Sequence, residues 1–116
     1  MADQVTFRID GSQVRAWCYV DDFIDGLAAA VETRELSGEV INLGNPDAAA
    51  SVMELANIVL RAAESDSQIV TEPHFGLDIR KRTPNIDKAR RLLSFKPVVG
   101  LEEGLARTVG WYKKNV

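Results

Sequence analysis

The sequence predicts one small α/β domain, spanning residues 1–116, in which a few short strands pack with three or four helices. Three observations lead to this fold class. Apolar and polar residues alternate over residues 5–9, which is typical of a half-buried strand. A capping box at Ser51 and Glu54 precedes an apolar stripe at helical spacing. Gly100 precedes a second such stripe, and no linker or internal repeat divides the chain.

Turn residues and apolar spacing divide the first half of the chain into a hairpin, a helix and a further strand. Asp10-Gly11 marks the turn of the hairpin, and Asp21-Asp22 offers an N-cap for the helix. The predicted bounds are strands at residues 5–9 and 14–20, a helix at 22–33 and a short strand at 40–43.

The second half reads as two amphipathic helices separated by a strand, a loop and a short helix. Pro73 closes the strand, Asn85 is a candidate N-cap for the short helix, and Pro97 prevents its continuation. The predicted bounds are a helix at residues 52–64, an edge strand at 68–71, a loop at 73–84, a short helix from 85 or 86 to 93 and a last helix after Gly100.

Composition excludes several classes of protein. The formal net charge of −3 argues against a general binder of nucleic acid or of anionic membranes. No apolar run is long enough for a bilayer span, and the N-terminus has no signal-peptide pattern, so we expect a cytoplasmic protein. Cys18 is the single cysteine, which excludes an internal disulfide, and His74 is the single histidine, so no metal site is expected.

Arg15 is the residue that first suggests a binding site, because it places a permanent positive charge at the start of an apolar strand. A guanidinium can bind a phosphate through two parallel hydrogen bonds. The alternative is a surface arginine paired with Asp10 or Asp22. Cys18 is expected to be a buried, unreactive thiol rather than a nucleophile, since nothing near it in the sequence would activate it.

Five motifs in order give the chain a resemblance to the C-terminal region of the NAD-dependent epimerase/dehydratase family, the extended short-chain dehydrogenases that act on nucleotide sugars. UDP-glucuronate decarboxylase is the subgroup that the chain resembles most. The motifs are Gly11-Ser12-Gln13-x-Arg15 with Cys18-Tyr19-Val20-Asp21-Asp22, then Glu39-Val40-Ile41-Asn42-Leu43-Gly44-Asn45-Pro46, Arg82-x-Pro84-x-Ile86-x-Lys88-Ala89, Leu92-Leu93-x-x-Lys96-Pro97, and Leu101-Glu102-Glu103-Gly104-Leu105.

The resemblance implies a UDP-sugar ligand and assigns three binding residues. Arg15 would contact the pyrophosphate, while Asp78 and Arg82 would face the nucleoside half. The loop around them departs from the family pattern, which leaves open which sugar nucleotide fits. Its departures are Leu77 and Ile79 in place of a carboxylate and a proline, Asn85 in place of an aspartate, and Phe75 where some relatives carry a second phosphate-binding arginine.

Two features that such enzymes need for catalysis do not occur in this sequence. One is the Gly-rich turn after a first strand that holds the NAD pyrophosphate at a helix N-terminus. The other is a tyrosine followed four residues later by a lysine: Tyr19 is followed by Phe23, and Tyr112 by Val116. We therefore expect a chain that is not catalytic alone and holds no cofactor, whereas the complete family enzyme uses NAD to take a hydride from the sugar C4 and return it.

The resemblance also implies that something covers part of this chain. In the family fold, residues 40–43 would pack beside the nucleotide-binding sheet, so without that sheet they and the first helix should expose apolar surface. The partner would be a Rossmann-type half or a second copy of the chain, as a dimer or by exchange of an element. The alternative function is a non-catalytic structural or oligomerisation module, or one half of a split enzyme; the chain would be a fragment, a truncated reading frame or a stand-alone relative.

Overall fold

The computed structural model describes residues 10–73, 76 and 78–116, and the backbone of residues 4–7. Within this part of the chain, short strands and four α-helices confirm the predicted α/β class. The elements are β1 (Gln4–Phe7), β2 (Val14–Ala16), α1 (Val20–Glu32), β3 (Ala49–Ser51), α2 (Val52–Ala63), β4 (Gln68–Thr71), β5 (Lys81–Arg82), α3 (Asp87–Leu93) and α4 (Leu101–Asn115), with a 3₁₀ turn at Pro46–Ala48.

The strands form two small sheets, and the predicted hairpin is wrong. β1 runs parallel to β4, whereas β2 lies between β3, to which it is antiparallel, and β5, to which it is parallel. The expected turn does not reverse the chain because its backbone is held by the start of α2. Gly11 accepts a hydrogen bond from the N–H of Met53 at 2.9 Å, and Gln13 accepts one from Val52 at 2.9 Å.

The two amphipathic helices form as predicted, α2 behind its capping box. The Ser51 hydroxyl accepts a hydrogen bond from the Glu54 N–H at 3.1 Å, and the Glu54 carboxylate accepts one from the Ser51 N–H at 2.7 Å. α4 begins directly after Gly100 and packs along α2. No helix in the described part of the chain has the length and apolar content needed to cross a bilayer.

The N-cap predicted at Asp21-Asp22 is wrong. α1 begins earlier, at Val20, and its N-cap residue Tyr19 makes no side-chain capping bond. Asp22 is only 4% exposed and serves a distant segment instead. Its carboxylate accepts hydrogen bonds from the N–H groups of Val98, at 3.1 Å, and Val99, at 2.9 Å. This contact fixes α1 against the connection between α3 and α4.

α3 lies at the centre of the hydrophobic core. Ile86, Ala89, Leu93 and Phe95 are buried together there, and Ala29 and Ala30 of α1 pack against them. The predicted N-cap at Asn85 is wrong by one residue: Ile86 is the N-cap residue, while the Asn85 side chain accepts a hydrogen bond from the Asp87 N–H at 2.9 Å.

Residues 40–43 do not form the predicted strand. Their exposure still alternates, with Val40 82% exposed and Ile41 and Leu43 packed on the core. Among the residues that the structure describes, none makes a backbone hydrogen bond with residues 40–44. The strand pattern is present, but no strand among the described residues lies beside it to form a ladder.

Candidate functional site

Arg15 is fixed at the end of its side chain by the segment that precedes β5. One guanidinium nitrogen, Nη1, donates to the carbonyl oxygens of Val14 at 2.9 Å and Ile79 at 2.8 Å. The other, Nη2, lies 3.6 Å from Oδ1 of Asp78, and the two side chains are 25% and 33% exposed. The guanidinium is therefore oriented by the protein and is still accessible to solvent.

The pairing of Arg15 with Asp10 or Asp22 is wrong. The Asp10 carboxylate accepts hydrogen bonds from the hydroxyl and the N–H of Ser12, and these bonds lower the pKa of Asp10. Asp22 is occupied by the backbone of Val98 and Val99. The carboxylate that meets Arg15 belongs to Asp78, which is distant in the sequence and which the resemblance had assigned as a binding residue.

Arg82 lies beside Arg15 because β5 runs parallel to β2. Their Cα atoms are register partners, and the Val14 N–H donates to the Arg80 carbonyl at 2.7 Å, which secures β5 along β2. Arg82 is exposed, and no ion pair to its side chain is found in the described part of the chain. Two cations from sequence-distant segments are thus brought to one position.

Arg15 and Arg82 both line an open cavity of about 390 Å³. Four residues that were not named as site residues from the sequence complete its wall: Ala16, Asn42, Thr83 and Pro84. All four lie in or beside the motifs of the family resemblance, so the motifs were the signal that could have identified them. Asp78 does not line this cavity but contacts Arg15 from the side. The cavity offers two guanidinium groups and one amide, a donor set suited to phosphate and hydroxyl oxygens.

Gly44 lets Pro84, a residue of the cavity wall, pack closely against the backbone at position 44. It is buried, and a Cβ atom at this position would lie 2.8 Å from Cγ of Pro84. A side chain at this position would push Pro84, a residue of the cavity wall, out of its place.

A second groove, of about 290 Å³, lies away from the arginines, between α4 and the residues that precede α1. Trp17, Cys18 and Tyr19 line it. Burial, with a smaller contribution from the charge of Asp22, raises the pKa of the Cys18 thiol. Cys18 is free but only half-buried, and it follows the strand rather than lying in it, so the predicted buried strand position is wrong.

Two aromatic residues of α4 do not line the arginine cavity. Trp111 and Tyr112 are each 57% exposed near the end of α4, where their rings meet edge to face. Within the described residues, no three His, Cys, Asp or Glu side chains are grouped so that they could hold a metal ion. His74, Phe75 and Leu77 lie outside the described residues.

Sequence comparison identifies relatives of the whole chain. Residues 2–44 match the sequence model of the NAD dependent epimerase/dehydratase family. UDP-glucuronic acid decarboxylase 1 from Danio rerio is 37% identical over 114 residues, which are 98% of this chain and 27% of that protein. UDP-N-acetyl-alpha-D-glucosaminuronate decarboxylase from Bacillus cytotoxicus is 32% identical over 111 residues, 90% of this chain and 34% of that protein.

Solved structures show the same fold. An epimerase from Methanothermobacter thermautotrophicus superimposes with a TM-score of 0.88 at 38% identity, over 97% of this chain and 34% of the other. UDP-glucuronic acid 4-epimerase from Bacillus cereus, in complex with UDP-glucuronic acid and NAD, gives a TM-score of 0.86 at 29% identity, over 97% of this chain and 36% of the other. The chain spans about a quarter to a third of the length of these relatives. The resemblance noted in the sequence is thereby confirmed: the chain is a homologue of one part of the NAD-dependent epimerase/dehydratase proteins.

Proposed function

We propose that this chain is the sugar-nucleotide-binding part of a UDP-sugar epimerase, dehydratase or decarboxylase, and that it is not catalytic by itself. Arg15 binds the pyrophosphate, and Arg82, with Asp78, faces the nucleoside. The observation that carries the proposal is the register pairing of Arg15 with Arg82 at the rim of one cavity. The accessible guanidinium of Arg15 provides positive charge for a diphosphate, and the guanidinium of Arg82 beside it provides hydrogen-bond donors for the adjoining nucleoside.

Asp78 has a positioning role in this proposal. Its carboxylate and the Ile79 carbonyl hold the Arg15 guanidinium on two sides. A fixed guanidinium loses less conformational entropy when it binds a phosphate than a mobile one would. Asp78 also offsets part of the positive charge, so a ligand phosphate must compete with it for Arg15.

NAD would be held by a second, Rossmann-type half rather than by the described part of this chain. A dinucleotide pyrophosphate needs free N–H groups at a helix start and glycines that let it approach. At the start of α2 the N–H of Glu54 is already bonded to its own cap, Ser51, and α1 follows Trp17-Cys18-Tyr19 without a glycine. These residues do not fit the dinucleotide.

The same second half would supply hydrogen-bond partners for the backbone of residues 40–44. Unpaired N–H and C=O groups beside alternating side chains are a template for strand addition. Pairing this segment with the edge of a neighbouring sheet would place Asn42, and with it the cavity of Arg15, next to the site where NAD is held.

Calorimetric titration of the chain with UDP and with UDP-glucuronate tests the proposal, at low and moderate salt. Arg15→Ala should weaken binding by about 1.5–3 kcal/mol, because a hydrogen-bonded charge contact is lost. Arg61→Ala is the matched control, since Arg61 lies on α2 and does not line the cavity. Equal binding by the Arg15 variant, or the absence of binding in a chain shown to be folded, would contradict the proposed role of this chain alone.

A structural or oligomerisation module is the second candidate function, and the exposed apolar face of α1 favours it. Val20, Ile24 and Val31 are 58%, 52% and 86% exposed, as the sequence predicted for an uncovered first helix. A second copy of the chain could cover this face and form a homo-oligomer. Light scattering over a range of concentrations tests this candidate: a monomer at high concentration would count against it.

A further inference from the structure

Three exposed cations, Arg80, Lys81 and Arg82, stand directly before Thr83. Among the described residues, none of the three forms an ion pair. The chain as a whole is acidic, with a formal net charge of −3, so this run is a local departure from the charge of the rest of the chain. The proposed binding site uses only Arg82, and the other two cations have no role in it.

Thr83 is accessible to another enzyme. It is exposed and lies outside the helices and strands, just after β5. Because Pro84 follows it, its backbone favours an extended conformation. No backbone hydrogen bond to Thr83 is found among the residues that the structure describes. Its position is nevertheless defined, since Pro84 packs closely on Gly44.

Three other threonines of the chain lack this combination of exposure and charge. The hydroxyl groups of Thr33 and Thr108 donate to helix carbonyl oxygens, of Ala29 at 2.6 Å and of Gly104 at 2.8 Å. Thr71 is exposed, but three uncharged residues precede it. Thr83 therefore differs from these three by its charged neighbours and its position after an edge strand.

The pattern around Thr83 is suited to a protein kinase whose substrate groove is acidic. Arginines stand three residues and one residue before the hydroxyl, and kinases select substrates by such charge patterns. In the transfer, a bond forms between Oγ1 of Thr83 and the γ-phosphorus of ATP, and the bond from that phosphorus to the β,γ-bridging oxygen breaks. ADP leaves, and the hydroxyl proton passes to the catalytic aspartate of the kinase.

A phosphate on Thr83 would enter the cavity that the article's UDP site occupies, because Thr83 lines it together with Arg15 and Arg82. Phosphorylation adds a charge of about −1.5 to −2 and three acceptor oxygens. Guanidinium groups are the preferred donors to such oxygens. A group tethered to the wall competes at an effective concentration in the millimolar range, so it would oppose a dissolved diphosphate by occupancy and by like charge.

From these observations we propose that Thr83 is a phosphorylation site whose phosphate pairs with Arg15 and Arg82 and closes the cavity to sugar nucleotides. This inference rests on the proposed function, because it concerns the regulation of the same cavity. Arg80 and Lys81 direct the kinase, and Arg82 then holds the product of the modification.

Incubation of the folded chain with an arginine-directed serine/threonine kinase and ATP tests the modification. Mass spectrometry should find the phosphate on Thr83 and not on Thr71, the internal control. Arg80→Ala should slow the modification at least about tenfold, because the charge three residues before the hydroxyl is lost. Modification of Thr71 as fast as that of Thr83, or a chain left unmodified at Thr83, would overturn the proposal.

A chain synthesised with phosphothreonine at position 83 tests the effect on the cavity. Titration calorimetry with UDP should give a Kd at least about tenfold higher than for the unmodified chain, because the ligand must displace a tethered anion. Thr83→Asp, with a single negative charge, should give a smaller increase, and circular dichroism checks that both chains are folded. Equal Kd values with and without the phosphate would refute the regulation and leave the UDP site standing.

Phosphorus NMR gives a measurement that needs no ligand. Pairing with the two arginines should lower the second pKa of the phosphothreonine from about 6 to about 5, and Arg15→Ala should raise it again. If neither form of the chain binds UDP, the proposed function is refuted, and this pKa alone then decides whether the phosphate occupies the cavity. A pKa near 6 that Arg15→Ala does not change would overturn the inference.

Discussion

Arg15 and Asp78 form an ion pair, 3.6 Å between Nη2 and Oδ1, that joins the second strand to the loop before the fifth. The pair lies at the edge of the proposed diphosphate site, so the carboxylate occupies part of the space around the guanidinium that a phosphate would use. The strength of this competition can be measured directly.

Asp78→Asn should tighten the binding of inorganic pyrophosphate by a few-fold to tenfold. An exposed ion pair is worth about 1 kcal/mol or less, and the variant removes the negative charge that opposes an incoming phosphate. Titration calorimetry with pyrophosphate measures the change, and Asp47→Asn serves as a control that does not contact Arg15. Unchanged or weaker binding would mean that Asp78 does not compete with the ligand.

Gly44→Ala should destabilise the chain by about 1–3 kcal/mol, since the new methyl group would overlap Pro84 and force the cavity wall to move. Urea unfolding gives the free energy of unfolding. Gly110→Ala is the control: nothing lies within 4 Å of its added Cβ atom, so this change within α4 should be neutral or stabilising. Equal stability of the two variants would refute the close approach of Gly44 and Pro84.

Asp22→Ala should cost about 2–4 kcal/mol of unfolding free energy. The change removes a buried acceptor and leaves the N–H groups of Val98 and Val99 without their partner. Asp21→Ala is the adjacent control, and its exposed side chain should contribute less than about 0.5 kcal/mol. If Asp22→Ala lowers the free energy of unfolding as little as Asp21→Ala does, the contact between α1 and residues 98–99 does not stabilise the fold.

Glu54 should give α2 a pH-dependent contribution to stability. The hydrogen bond from the Ser51 N–H lowers the pKa of Glu54 in the folded chain below its ordinary value of 4.5. The contribution is therefore complete above the unfolded pKa and is lost as the pH falls through the lower folded pKa. Urea unfolding of the native chain and of Glu54→Gln between pH 7 and pH 3 should show a stability difference that is constant at first and then shrinks. A difference that does not change with pH would contradict this role.

Local signals predicted that the four helices form, because apolar spacing acts within a few residues, but the predicted N-caps of α1 and α3 were wrong. The Ser51–Glu54 box and Gly100 both mark the start of a helix as expected. Such local signals could not predict which strands pair with each other. β1 pairs with β4 rather than with its neighbour in sequence, and the two-residue strand β5 is polar, so its pairing depends on the backbone of β2 and not on a pattern of its own.

The sequence motifs predicted part of the site. Arg15 and Arg82 were named from the sequence, and the structure brings them together. The pairing of Arg15 with Asp78 was not predicted. An ion pair between distant segments follows from the tertiary fold, and no regular spacing of residues in the sequence indicates it. The same holds for Asp22, which has the sequence position of a helix cap but is used for a long-range contact.

The contact of Asp22 with Val98 and Val99 has a consequence for how the chain is made. Its two ends are 76 and 77 residues apart in sequence. Contacts of such separation close late in folding, because the loop entropy must be overcome first. On the ribosome, α1 would emerge long before residues 98–99, so Asp22 would be without these backbone partners throughout that interval. Until the contact closes, α1 is not fixed against the connection between α3 and α4, and such incompletely packed intermediates are the species that chaperones bind.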